Sequence, residues 1–157
     1  MEQTSPSRRA ALTQTIAIAA AGVTAATSAS AAAAAPAAAV PGAATYRVVF
    51  QVSDADPAKW NLTLNNIRNA QVELGSDRVE VELVAFGPGI GMLTAASSAA
   101  GRIAEAVEAG VRAYACENSM RGQKLTPGQM HPRASFAASG VAHLIRRQAE
   151  GYAYLRS

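Results

Sequence analysis

Cysteine is almost missing from this chain: Cys116 is the only one in 157 residues. An intramolecular disulfide is therefore excluded. One cysteine with two histidines, His131 and His143, does not supply the usual structural zinc sets either. Net charge is small, since fourteen Lys and Arg against eleven Asp and Glu leave a formal +3. That is no platform for nucleic acid, and no basic run is interleaved with aromatics. Neither a Walker motif nor a dinucleotide fingerprint occurs, so no motif calls for a cofactor or a metal. No internal repeat is present.

Long hydrophobic runs are missing as well. The first forty-four residues are rich in alanine, and the mildly apolar part from Thr15 to Ala26 is mostly alanine and threonine. Those residues contribute little to membrane insertion, so stable insertion is not expected. Ser7-Arg8-Arg9-Ala10-Ala11-Leu12 precedes this run, and Ala/Ser/Pro-rich sequence follows it to Ala44. A charged start, apolar middle and small-residue exit describe an export signal, and the paired arginines favour the twin-arginine route. The expectation is a signal and linker over residues 1–44, a periplasmic location, and one α/β domain over residues 45–157. The competing reading is an alanine-rich tail on a cytoplasmic protein.

From Thr45 the composition changes. Arg47-Val48-Val49-Phe50-Gln51-Val52 reads as a strand covered on both faces. Asp56-Pro57 reads as a helix N-cap and first turn, with Trp60, Leu64, Ile67 and Leu74 on one face and Gly75 as the stop. Val79-Glu80-Val81-Glu82 alternates before an apolar run, which suggests an edge strand with a buried far end. A helix is expected from Thr94 to Glu108, a third strand from Val111 to Cys116, and a short turn of helix at Thr126-Pro127. A short strand near Phe136 follows. Next comes a helix capped by Ser139, carrying Val141, Leu144 and Ile145 inward, and then a last strand at Tyr152–Leu155. Strands and helices alternating in this way predict three layers: a mainly parallel five-stranded sheet with helices on both faces, of flavodoxin-like kind.

In such sheets ligands gather at the carboxyl ends of the strands. Two stretches fall there. Gly87-Pro88-Gly89-Ile90-Gly91 is either a tight strand-to-helix turn or a loop lining a small pocket. Cys116 is either a small buried hydrophobe or a reactive thiol. Asn118 and Ser119 can begin a helical turn whose free amides favour a thiolate, and Arg121 is near enough in sequence to add positive charge. Glu117 opposes this. A lone thiol cannot run a dithiol cycle, but it can carry a persulfide or a mixed disulfide. His131 is a candidate base, and a cysteine hydrolase would need it beside Cys116. His143, next to Arg146 and Arg147, reads as surface or partly buried packing. The sequon Asn61-Leu62-Thr63 lies on an expected helix and is discarded.

With these residues in view, the chain resembles the DsrE/DsrF-like family of small sulfur-relay proteins. The resemblance rests on Val84-Ala85-Phe86-Gly87-Pro88-Gly89-Ile90, on Gly110-Val111 leading into Ala115-Cys116-Glu117-Asn118-Ser119-Met120, and on Gly140-Val141 through Gly151-Tyr152. It implies a five-stranded parallel α/β fold assembled as trimers or hexamers. It also implies a persulfide-carrying cysteine after the third strand, the place of Cys116. The partners implied are a sulfur donor and acceptor, whether protein or small sulfur compound. The Gly87–Gly91 loop and Arg121 match segments expected near the thiol. Relatives often have histidine where this chain has Phe86. The expected activity is that of a sulfur carrier, sulfurtransferase-like rather than a hydrolase or oxidoreductase. The alternative is an oligomeric ligand-binding or assembly module with an inert cysteine.

Overall fold

A computed structural model describes residues 46–157, so the signal and linker expected over 1–44 lie outside the described residues. Five strands form one sheet: β1 (Tyr46–Val52), β2 (Val79–Ala85), β3 (Arg112–Cys116), β4 (Ser135–Ala137) and β5 (Ala153–Arg156). Their order is β4-β3-β2-β1-β5, and every neighbouring pair is parallel. The chain steps from β1 through β4 in one direction, then crosses back to place β5 against the free edge of β1. Crossovers between parallel strands are right-handed, so the reversal sends the last connection to the opposite face. Helices α1 (Pro57–Leu74) and α2 (Ala100–Glu108) pack on one face, the short α3 (Glu117–Gly122) follows β3, and α4 (Gly140–Ala149) covers the other face.

Local chemistry sets most of the helix ends where the sequence places them. Asp56 Oδ1 accepts from the Ala58 amide at 2.8 Å ahead of Pro57, and Gly75, Gly110 and Gly151 take positive φ at the stops. The α1/α2 face holds the larger core, built on Phe50, Ile67, Leu83 and Ile103, each essentially inaccessible. Each such side chain contributes about 1.5–3 kcal/mol by burial. The α4 face is different. Its apolar cluster is small (Val49, Val84, Leu144 and Tyr152), and the carboxylate of Glu82, fully buried, lies on the same face.

Three expectations are corrected. β2 is not an edge strand: it lies between β1 and β3. Its alternating glutamates lie on the α4 side, where Arg112 and Arg147 pair with them and His143 hydrogen-bonds Glu82, and so polar alternation persists inside the sheet. The helix expected from Thr94 begins only at Ala100. A 3-10 helix over Gly87–Leu93 uses the preceding residues, and Thr94 forms an isolated antiparallel bridge with Met130. Of the residues expected inward on α4, only Leu144 is buried; Val141 and Ile145 are 53% and 61% exposed. The stripe facing the sheet is Gly140, His143, Leu144 and Arg147, at helical spacing, because Glu82 draws the histidine and the arginine inward.

Candidate functional site

Cys116 ends β3 in register with Ala137 of β4 and is also the N-cap of α3, with extended backbone. It is 4% exposed. The first amide of α4 reaches it from across the sheet end, the Gly140 N–H donating to Cys116 Sγ at 3.2 Å. That donor is free because the first amides of a helix have no partner within the helix. Ser139 Oγ caps α4 by accepting from Ala142 N at 3.3 Å, which leaves Gly140 N to the sulfur. The approach favours glycine. A Cβ at position 140 would lie 3.0 Å from Phe86 Cδ1 and 3.3 Å from Cys116 Cβ.

The glycine loop joins this centre through Ser119. Gly87 N donates to Ser119 Oγ at 2.7 Å, and Gln123 Nε2 donates to the Gly87 carbonyl at 2.7 Å. Gly87 has φ of +53°. Gly89 presses on the end of β1 so closely that a Cβ there would sit 2.5 Å from the Val52 carbonyl oxygen. Pro88 opens the 3-10 helix and is exposed, whereas Gly89 and Ile90 are buried. The stretch is thus a tight, packed turn, and its first amide is one hydroxyl away from the cysteine.

Burial pushes the Cys116 thiol up, but the Ser119 hydroxyl and the amides of Gly140, Ser119 and Asn118 outweigh it. The thiol therefore sits below its ordinary value of 9.0. Among these donors the Gly140 amide makes the well-formed hydrogen bond; the others act at poorer geometry. The site thus favours a thiolate at lower pH than a free cysteine would.

The remaining expected site residues fall into two groups. Asn118 and Arg121 are on α3, where Arg121 hydrogen-bonds Asn118 Oδ1 and lies 4.0 Å from Glu117 Oε2. The Arg121 side chain is 67% exposed and its charge is engaged by these neighbours. His131 is buried, but its backbone amide donates to Leu93 O at 2.8 Å and its Nδ1 accepts from Arg133 N at 3.2 Å. No hydrogen bond joins it to Cys116, so the arrangement needed for a cysteine hydrolase is not formed. The clearest clefts lie elsewhere, one between α1 and α2 at Leu64, Ile67, Arg68 and Arg102, another by Tyr46, Val79 and Leu155. Among the described residues, no three His, Cys, Asp or Glu side chains converge to hold a metal ion.

Two features escaped the sequence reading. One is Gly140 as a donor to the thiol. The other lies one turn along α4, where His143, expected as surface or partly buried packing, is buried with its Nε2 2.6 Å from Glu82 Oε2. Its ring is 4.4 Å from that of Tyr114. Arg147 Nε donates to the same oxygen at 2.8 Å, and Arg112 donates to Glu82 Oε1 at 2.7 and 3.2 Å. Arg112 also bonds Glu80, which accepts from the Tyr152 hydroxyl at 2.5 Å. Burial would raise the Glu82 carboxyl; Arg147, His143 and Arg112 outweigh it and hold the group below the ordinary 4.5. A signal did exist. Glu80 and Glu82 share one strand face, and His143 and Arg147 share one helix face four residues apart.

Comparison with known proteins bears on the family and the fold. The model of the DsrE/DsrF-like family matches residues 46–156. The chain is also similar to the solved structure of a protein of unknown function from Methanobacterium thermoautotrophicum. Identity is 36% and the TM-score 0.69, over 71% of this chain and 99% of that one. No curated protein matches the chain.

Proposed function

Because the chain belongs to the DsrE/DsrF-like family, which implies a function of sulfur-relay type, we propose that it carries sulfane sulfur on Cys116 as a persulfide. The observation that carries this reading is the Gly140 amide directed at the sulfur of the single cysteine, at 3.2 Å. An amide and a hydroxyl around a strand-end thiol stabilise the nucleophilic form and the anionic leaving form alike. The chemistry balances without an outside oxidant. The Cys116 thiolate attacks the outer sulfur of a donor persulfide, a new S–S bond forms, the donor's S–S bond breaks, and the donor leaves as a thiolate. An acceptor thiolate then attacks the outer sulfur on Cys116 and releases the cysteine again as thiolate.

The proposed setting is the periplasm, reached through the twin-arginine signal around Arg8 and Arg9. The proposed partners are a sulfur donor and an acceptor, with the protein itself a homo-oligomer, a trimer or hexamer. Val141 and Ile145, exposed one turn apart on α4, support assembly through that helix. A second reading, an assembly or small-ligand module with an inert cysteine, is favoured by the 4% exposure of Cys116.

Intact-protein mass spectrometry on material from the periplasm separates the two. A gain of one sulfur atom, removed by reductant and absent from Cys116→Ser, is the expected result. An unmodified thiol that also resists sulfane donors and alkylation overturns the carrier reading in favour of the assembly or ligand module.

A further inference from the structure

The largest polar cluster among the described residues lies outside the thiol site, under α4. Glu82 is a fully inaccessible carboxylate in the middle of the sheet. Such a group is tolerated only if its lone pairs are filled, and replacing ion pairs with apolar side chains is often no worse for stability. Its geometry is uneven in an informative way. One oxygen is held by Arg112, from the neighbouring strand. The other is held by two residues of one helix, His143 at 2.6 Å and Arg147 at 2.8 Å. A single rigid strand position thereby grips α4 at two points one turn apart, which resists both sliding of the helix along its axis and rotation about it.

The same helix delivers its first amide to Cys116. Gly140 is three residues before His143, and its N–H lies on the sulfur at 3.2 Å. The apolar packing beneath α4 is thin, with Leu144 as the helix's buried apolar side chain. Beside that packing and the ring contact of His143 with Tyr114, the Glu82 grip is the main polar hold on where the helix sits along its axis.

We infer that Glu82 is a positioning residue for the thiol: through His143 and Arg147 it holds α4 at the height that puts the Gly140 amide on Cys116 Sγ. The inference rests on the reading of Cys116 as a working thiolate. Glu82 itself never touches the sulfur in this arrangement and acts only through the helix.

Electrostatics alone predicts the opposite sign, which makes the idea testable. The charged and titratable groups around Glu82 are Glu80 on its own strand, Arg112 on β3, His143 and Arg147 on α4, and Tyr152 beyond it. Neutralising Glu82 removes a negative charge and leaves two arginines less compensated, so a purely Coulombic link makes the thiol more acidic. Loss of positioning makes it less acidic.

The experiment is the pH profile of iodoacetamide alkylation of folded wild type, Glu82→Gln and His143→Gln, with hydrogen exchange of the Gly140 amide followed by NMR. His143→Gln keeps the buried charge paired with two arginines and is the variant to rely on if Glu82→Gln does not fold. Val81→Ala, destabilising from the opposite face of the same strand, controls for stability alone. Expected are a slowing of alkylation below neutral pH of roughly three- to tenfold and faster exchange at Gly140 in both α4-loosening variants, with neither change in Val81→Ala. Faster or unchanged alkylation with unaltered Gly140 exchange overturns the inference. If the wild-type thiol proves unreactive, the carrier reading falls, while Gly140 exchange still decides whether Glu82 positions the helix.

Discussion

Consider Gly140→Ala, the smallest change that separates the thiol from its amide. The added methyl would stand 3.0 Å from Phe86 Cδ1, 3.1 Å from Phe86 Cβ and 3.3 Å from Cys116 Cβ. All three contacts are tighter than most Cβ contacts in proteins, so the start of α4 must retreat by a few tenths of an ångström or Phe86 must turn. Overpacking of this kind costs about 1–3 kcal/mol. Alanine recovers up to about 1 kcal/mol over glycine in a helix, less in the first turn. The net change is a destabilisation of about 1 kcal/mol, too small by itself to decide anything.

The titration decides. A retreat of α4 lengthens the 3.2 Å contact from Gly140 N to Cys116 Sγ. A hydrogen bond to a charged group is worth about 1.5–3 kcal/mol, and losing a third to a half of it raises the thiol by about half to one pH unit, at 1.36 kcal/mol per unit. Alkylation at pH 6 should then slow by about three- to tenfold, while urea unfolding shows only the small loss. Gly101→Ala is the control: on α2, with nothing within 4 Å of the new methyl, it should gain a little stability and leave the thiol alone. A Gly140→Ala protein that is more stable than wild type and alkylates as fast would refute the account. It would mean that the end of α4 has slack and that its amide does not govern the sulfur.

Other outcomes follow from the same geometry. Ser119→Ala removes the acceptor for Gly87 N and a donor near the sulfur. It should cost about 1–2 kcal/mol in urea unfolding and shift the alkylation profile to higher pH. Gly89→Ala drives a methyl into backbone, 2.5 Å from Val52 O and 2.7 Å from Val52 C. It should cost about 3 kcal/mol or more, visible as a large drop in the urea midpoint. Acid unfolding reports on the glutamates. Glu80 and Glu82 titrate below the ordinary 4.5 when folded, so the unfolded chain takes up protons first. Their contribution is present above about 4.5 and is lost as pH falls through the folded values. Glu82→Gln should be less stable at neutral pH by about 3 kcal/mol yet show a shallower loss of stability with acid, measured by urea melts across pH.

Most of the fold was legible because it rests on local signals. Asp56-Pro57, Ser139 and the stops at Gly75, Gly110 and Gly151 each act over a few residues, and each appears where its chemistry places it. Cys116 at a strand end was readable for the same reason. What was not legible depends on pairing across the sheet. The alternation at Glu80 and Glu82 looks like an exposed edge until Arg112, His143 and Arg147 are brought to it from more distant parts of the chain. The facing of α4 was misread in consequence: Val141 and Ile145 look like the core stripe by hydropathy, but a buried carboxylate outranks two methyl-rich side chains in choosing which face turns inward. The role of Gly140 could not be seen either, because a free helix amide has no side chain to advertise it.

The strand order has a consequence for how the domain comes into being. Among the described residues β1 is the first strand made, and its second edge is closed only by β5, the last of them. Val48 waits for Ala153, and Phe50 for Leu155. The α4 that supplies the amide for Cys116 also emerges late, so a chain still being synthesised has an open sheet edge and an unformed thiol site. Folding of this kind, dominated by contacts between distant parts of the chain, is slow and exposes strand edges while it waits. On the carrier reading, a chain truncated before β5 should therefore keep its thiol in an ordinary, unactivated state, with alkylation at pH 6 slower than in the full chain.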